Sequence, residues 1–549
     1  MLVDARSVAN GACLEADACI VGAGPAGLAT ASELERPGTR VVMLAGAAED
    51  PGGEVEGEPY PSLSETRAGG IGGTAALWDA ELARGSMGAR YAPLARIDFE
   101  QRDAVPMSGW PFSRETLDPF YARAQELCDA GPYDYEASGA EATNGPVPLR
   151  SDVVASGLFR FGPSDSFTRA QRDGLARSDT VRVLTPATAT RILTAADGRA
   201  VQEVEASSAP GRSFRVQAGV YVLAAGGIEN ARLLLLSDIG NDHGLVGRCF
   251  MDHPTIRCRL ELEPKSGWGL GFYDIRTVAN RLVLGRLELR DETLRAEGLL
   301  NGTFFVAPAR DREQRAAAAT RSIVQAARER RIPAEPVRRA GELVAGLDAL
   351  GFAAHRRLAG AFPLLEPSLR LWPRSRLLDT LGLGPVSGWS GLRARPRVFD
   401  VHHVVEQAPD PERQITLGAG LDRFGSRVAR LRWFLGAREA ASADRSEELL
   451  REELQRLGVG RLRTARELAP DGDLAAVVHP SAHHHLGTTR MHRDARYGVV
   501  DPDGRVHALA NLFVTGGSVF PTSGYVNPTL TIVALALRLG AHLRQDVSR

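Results

Sequence analysis

Apolar positions gather into short unbroken runs that end on glycine at three widely separated places. Ala18-Cys19-Ile20-Val21 closes on Gly22-Ala23-Gly24-Pro25-Ala26-Gly27; Leu28 to Glu35 then has helical spacing, Pro37-Gly38 stops it, and Val41 to Leu44 forms a second apolar run. Val220 to Leu223 leads into Ala224-Ala225-Gly226-Gly227 and a helix through Leu236, and Leu512 to Val514 leads into Gly516-Gly517-Ser518. Strands without apolar–polar alternation are those covered on both faces, so the pattern predicts one parallel sheet assembled from distant segments.

The texture changes between those runs. Residues 256 to 306 alternate apolar and polar positions, as half-exposed antiparallel strands do, and residues 309 to 360 are rich in Ala and Arg at helical spacing. Ile415 to Leu417 and Leu431 to Phe434 read as further strands. The predicted division is a discontinuous nucleotide-binding domain of residues 1–105, 150–255 and 475–549, with a substrate domain of residues 106–149 and 256–474. The Arg-rich stretch from Arg310 to Arg331 reads as a solvated helix face.

Composition narrows the classes. Lys plus Arg number 66 against 67 Asp plus Glu, so no broad basic surface for nucleic acid is expected. The five cysteines are scattered without a CxxC pair, which indicates neither a disulfide framework nor a zinc site, and a reducing cytoplasm is expected. Asp4, Arg6 and Asn10 interrupt the N-terminal stretch, so no secretory leader is expected; Arg538 and His542 break the run Leu530 to Leu543, which reads as a buried helix and not a membrane span.

The glycine turn carries chemistry because of its setting. Gly22 permits a sharp turn, Gly24 lets backbone approach a pyrophosphate, Gly27 lets helix pack on strand, and the helix N-terminus faces the anion. The acid that should take the ribose hydroxyls at the end of the second strand is missing: Ala45 stands there, with Glu49 and Asp50 on the loop beyond. His483-His484-His485 is not read as a metal site, because neighbours on an extended segment point to opposite sides and no acid or cysteine stands at ligand spacing. Asn527-Pro528 starts a helix through Leu537, with its positive end toward the site.

Together these motifs resemble the glucose-methanol-choline (GMC) oxidoreductases, over most of the chain. The resemblance rests on the dinucleotide turn, Gly72-Gly73-Thr74 with Trp78, Ser108-Gly109-Trp110-Pro111, Ala224 to Ala231, Val246-Gly247-Arg248 with Met251-Asp252-His253-Pro254, His484-x-x-Gly487-Thr488, and Asn527-Pro528-x-x-Thr531. It is nearest the bacterial branch akin to pyranose and sterol oxidases, which pair His with Asn. It implies an α/β fold with a Rossmann-type FAD-binding domain on a parallel sheet, plus an inserted antiparallel-sheet and helical substrate domain. It implies FAD held without a covalent link, since Leu77 precedes Trp78 where some members carry the attaching histidine. The implied flavin contacts are Gly22, Gly24, Pro25, Ala26 and Gly27; Ala45, Gly46 and Arg67; Gly72, Gly73 and Thr74; Ala189 and Gly226; Gly516 and Gly517; and Asn527, Pro528 and Thr529. His484 is the implied base and Asn527 the second catalytic position, with no metal.

The expected reaction is oxidation of a small-molecule alcohol, a sugar, polyol or secondary-metabolite alcohol, by hydride transfer to flavin N5, with oxygen or another electron acceptor. Rival readings are a non-redox flavin lyase of the same fold, an NAD(P)-dependent dehydrogenase and a cofactor-poor scaffold. Three further expectations follow. Ala45→Glu should tighten FAD binding; His483 and His485 should face away from the flavin; and flavin reduction should fall below about pH 6.5, where an unperturbed His protonates.

Overall fold

A computed structural model describes residues 1–47, 52–82, 85–137, 146–147, 149, 152–163, 173–263, 270–309, 319–326, 335–345 and 398–546. Strand Cys13–Val21 lies near the middle of an eight-stranded sheet. From one edge the order is Leu2–Asp4, Val181–Thr185, Val41–Leu44, Cys13–Val21, Arg212–Leu223, Val201–Ala209 and Thr188–Thr194. The first five run parallel and the last two antiparallel. On the side away from Cys13–Val21, Arg212–Leu223 serves two neighbours: its first half pairs with Val201–Ala209, and Tyr221 to Leu223 pair in parallel with Leu512–Val514. The three glycine-ended runs therefore meet side by side, as the apolar pattern predicts.

Burial explains the pattern. Every residue of Val41–Leu44 is buried. Nine of the ten residues of helix Pro25–Leu34 are buried as well. The long C-terminal helix Thr529–Asp546 packs on its far side; a Cβ on Gly540 would fall 2.4 Å from Glu33 Cβ, so the two helices touch at backbone distance. Leu530 to Leu537 are buried throughout. Among the described residues no helix is long and apolar enough to cross a membrane.

A second, ten-stranded sheet is antiparallel and carries Thr255–Leu262, Val398–Val405, Gly302–Pro308, Arg281–Leu289 and Val154–Gly162 in order. It continues through Gly85–Tyr91 to Asp79–Leu82. Asp79–Leu82, Gly85–Tyr91 and Val154–Gly162 fall in ranges that the sequence division gives to the nucleotide part. Val154–Gly162 has no exposed position, so its pattern does not say which sheet it joins; its distant partner Arg281–Leu289 decides. A third sheet joins the hairpin Gln414–Leu421 and Arg427–Trp433 to Gly53–Gly57. In the stretch 309 to 360, helix Pro336–Ala345 is present, residues 319–326 are helical, and most of the others lie outside the described residues.

Packing weighs against one expectation, that an acid at Ala45 would tighten FAD binding. Ala45 is 0 % exposed; its N–H donates to Leu184 O at 2.9 Å and its carbonyl accepts from Ala187 N at 2.7 Å. The strand end is thus held inside the sheet, and Ala45 is not among the residues that line the cofactor cleft, so a carboxylate there would enter a buried position. Glu49 and Asp50, the alternative ribose partners, lie outside the described residues. Ala45→Glu is therefore expected to destabilise the fold by about 3–5 kcal/mol, the usual cost of an unpaired buried charge, in denaturant unfolding of the FAD-loaded protein. Unchanged stability with tighter FAD binding would restore the original reading of this position.

Candidate functional site

The glycine turn works through close approach. Gly22 has φ +109°, and a Cβ there would lie 2.5 Å from Ala224 O; one on Gly27 would lie 1.9 Å from Gly22 O. Gly24 differs: its Cβ direction opens into a cleft, with Gly72 O the nearest atom at 4.0 Å. The cleft has a volume of about 430 Å³, within the range of small-molecule and cofactor pockets. Of the expected contacts, Gly22, Gly24, Pro25, Ala26, Gly46 and Arg67 line it. So do Gly73, Thr74, Ala189, Gly226, Gly516 and Gly517. Gly27, Ala45 and Gly72 do not; Gly27 and Gly72 shape the turn instead, Gly72 donating to Ala23 O at 2.8 Å.

Of the charged wall, only Arg67 was among the expected contacts. Arg67 Nη1 meets Glu229 Oε1 at 2.6 Å, Arg232 Nη1 meets Glu229 Oε2 at 2.9 Å, and Arg232 Nη2 meets Asp422 Oδ2 at 2.6 Å. All four line the cleft, and Asp422 arrives from the hairpin loop of the third sheet. Glu229 was visible only as a letter in the Gly226 to Ala231 motif; nothing in its spacing gives it these partners.

Contrary to expectation His483 and His485 line the cleft, while His484 is not among its lining residues. The segment is not regularly extended, since His483 has φ +63°, and the His484 ring packs edge-on to Trp78, which lines the cleft, with centroids 5.8 Å apart. His484 meets Asn527, and Asn527, Pro528 and Thr529 are likewise not among the lining residues. The segment is pinned on both flanks. Leu486 exchanges two backbone hydrogen bonds with Met251, at 2.9 and 3.1 Å, and Gly487 N donates to Gly517 O at 3.1 Å. Gly487 sits at φ +85°, where a Cβ would meet Cys249 O at 2.3 Å, which explains the Gly three residues after His484.

Asp252 ties this side together. Its Oδ1 accepts the backbone N–H of His253 at 2.7 Å, and of Ala482 and His484 at 3.1 Å. Its Oδ2 accepts the hydroxyls of Tyr60 and Ser481, each at 2.6 Å. The His253 and His484 rings then meet Nδ1 to Nδ1 at 3.0 Å. On the outer side His484 Nε2 lies 3.2 Å from Asn527 Nδ2, and Asn527 Oδ1 accepts Arg90 Nε–H at 2.6 Å.

Donor and acceptor chemistry gives this chain one direction. Arginine only donates, so the Asn527 atom facing Arg90 is the oxygen and the NH2 faces His484. His484 Nε2 must then accept, and its proton sits on Nδ1, donated to His253 Nδ1. His253 Nε2 donates to Ser523 O at 3.3 Å, a carbonyl that only accepts, so the far end requires the same order. The result is a neutral His484 whose Nε2 carries a lone pair and no proton, turned toward an amide donor.

Electrostatics agree. Burial pushes the His484 pKa well below the ordinary histidine value; His253 beside it lowers it further, Asp252 opposes, and Arg90 and His483 also lower it. Burial brings His485 down to about 4 and lowers His253 and His483. Burial alone would raise the Asp252 carboxyl, but His485, His484 and the Ser481 and Tyr60 hydroxyls hold it at about 2. The fold therefore resists protons that the unfolded chain takes up near pH 6.5, so stability is lost as pH falls through that value. The thermal midpoint of the FAD-loaded protein is expected to drop steadily from about pH 6.5 to about 4. A midpoint flat over that window would mean these histidines protonate freely in the fold.

The cleft fits FAD on its own evidence. It has a glycine cradle open at Gly24, and His483 Nδ1 and His485 Nε2 on its wall are buried without a hydrogen-bond partner among the described residues. Family models described as GMC oxidoreductase match residues 165–255 and 409–536, and one described as FAD binding domain matches residues 15–51. The fructose dehydrogenase large subunit of Gluconobacter japonicus is 24 % identical over 346 residues, 62 % of this chain and 49 % of that one. A C-glycoside 3-oxidase of Microbacterium trichothecenolyticum is 33 % identical over 131 residues, 23 % of each chain. The chain thus spans about half the length of the first relative and less of the second. A solved formate oxidase aligns over 98 % of this chain and 99 % of its own, with a TM-score of 0.51 and 15 % identity, a likeness of fold. With the cleft, the glycine turn and both family segments in place, the chain belongs to the GMC oxidoreductases and binds FAD.

Proposed function

We propose that the protein oxidises an alcohol carbon of a sugar or polyol, with His484 as the base and Asn527 as the donor that holds the alcohol oxygen. The observation that carries this reading is the hydrogen-bond direction set from both ends, which leaves His484 Nε2 unprotonated 3.2 Å from Asn527 Nδ2. A substrate hydroxyl that enters between them donates its proton to Nε2 and accepts from Nδ2. When bound, FAD supplies the acceptor for the hydride that leaves the carbinol carbon. The proton taken up by His484 creates an imidazolium whose charge is met by the buried Asp252 carboxylate. The amide hydrogen bond holds the oxygen in line while it becomes a carbonyl. The sugar and glycoside named in the two relatives support the substrate class.

The FAD is proposed to be held without a covalent link. Leu77, 39 % exposed, occupies the residue before Trp78. Acid precipitation should release all yellow colour into the supernatant; colour that stays in the pellet would overturn this.

Anaerobic mixing of the holoenzyme with D-fructose, D-glucose, glycerol and a C-glycoside, with the flavin absorbance followed, tests the activity. At least one is expected to bleach the flavin and yield a carbonyl product; bleaching by none of a wider sugar and polyol panel would overturn the substrate class. His484→Ala should keep its FAD and slow bleaching by roughly 10²–10⁴-fold, with Asn527→Ala slowing it less. His483→Ala and His485→Ala should weaken FAD retention, since both line the cleft. The acid limb of bleaching is expected well below pH 6.5, because the buried His484 stays neutral there. A His484→Ala protein bleached at the parent rate would remove His484 from the reaction.

A further inference from the structure

Arg90, next to last in strand Gly85–Tyr91, has so far served only to show which way the Asn527 amide points. Its Nε donates to Asn527 Oδ1 at 2.6 Å, a short charge-assisted bond, and its other two guanidinium nitrogens have no hydrogen-bond partner among the described residues. No carboxylate among those residues pairs with it. The guanidinium instead lies 4.5 Å from the ring centroid of Phe159 and 5.0 Å from that of Phe305, which hold it in place by their π faces. The nearby Arg286 is already paired, with Glu288 at 3.0 Å. Burial, then Arg286, lowers Arg90 to about 10, so it is charged at neutral pH.

A partly buried cation without a counter-ion among the described residues is costly, and this one spends its directed bond on an amide. We propose that Arg90 is the positioning residue for the alcohol oxygen, acting through Asn527: it holds the amide with its NH2 toward His484 and polarises that NH2 as a donor. The inference rests on the reading of His484 and Asn527 as the alcohol-handling pair. As the substrate hydroxyl loses its proton, negative charge grows on its oxygen. The amide passes the guanidinium charge to that oxygen. The same charge opposes protonation of His484, which also faces His253, Asp252 and His483. Ser523 O fixes the His253 end independently, so loss of Arg90 should weaken the donor and leave the histidine order intact.

Two measurements on FAD-loaded protein test this. The first is anaerobic bleaching by whichever alcohol of the panel reduces the parent fastest, for Arg90→Met, Arg90→Lys, Asn527→Ala and the double variant Arg90→Met/Asn527→Ala. Arg90→Met should slow bleaching about tenfold to hundredfold with FAD retained, and Arg90→Lys should recover most of it. In the Asn527→Ala background the same change should cost less than about twofold, because the residue acts through that amide. The second needs no substrate: ¹⁵N-histidine NMR, with His484 assigned by its loss in His484→Ala, should show its protonation midpoint move upward in Arg90→Met. An undiminished loss in the Asn527→Ala background would mean that Arg90 binds substrate directly, and would overturn the proposal. So would a parent bleaching rate, or an unmoved His484 midpoint, in Arg90→Met. If His484→Ala itself bleaches at the parent rate, the reading of the base falls instead, and that result is separate from the Arg90 cycle.

Discussion

One buried carboxylate, Asp252, holds the reactive side of this molecule together. Its five hydrogen bonds collect Tyr60, Ser481 and the backbone of His253, Ala482 and His484 around two oxygens. A carboxylate out of water is expensive unless its lone pairs are filled, and here they are. Because two of those donors are the backbone N–H groups of His253 and His484, satisfying the charge also sets both rings at 3.0 Å from each other. The same negative charge stands ready for an imidazolium while burial keeps His484 neutral at rest. Removing this one group would leave five donors unpaired and two histidine segments without a common anchor.

The cofactor side depends on a different constraint, the closeness of backbones. Gly22, Gly27 and Gly487 stand where any Cβ would overlap a carbonyl oxygen at 2.5 Å or less. Their absence of side chains brings the first strand, the strand before Ala224 and the histidine segment within reach of one cleft. The His484 pair adjoins that cleft: the His484 ring packs edge-on to Trp78, which lines it, and His483 and His485 on either side in the chain line it too. In the proposed reaction, an unprotonated Nε2 beside the NH2 of Asn527 is the arrangement a hydroxyl requires.

Much of this was legible in the sequence. The glycine-ended apolar runs gave the parallel sheet, since burial on both faces leaves an unbroken run. The spacing from His484 to Gly487 and the Asn527-Pro528 pair marked the site. What was hidden depends on three-dimensional pairing. Val154–Gly162 is apolar enough for either sheet, and only its distant partner assigns it. Ala45 reads as a vacated ribose contact, yet its surroundings make it a core position. That His483 and His485 reach the cleft goes with the left-handed φ of His483 and the flanking bonds of Leu486 and Gly487, which no pattern in the letters supplies. Asp252, His253 and Arg90 act through partners more than a hundred residues away, so they had no local signal beyond membership of a motif or a strand.

The most direct test of the account is the tautomer of His484 in the FAD-loaded protein at neutral pH, read by ¹⁵N-histidine NMR with His484→Ala for assignment. The account predicts a neutral ring with the proton on Nδ1 and a bare Nε2, coupled to a His253 ring protonated on Nε2. A His484 protonated on Nε2, or present as imidazolium at that pH, would contradict it.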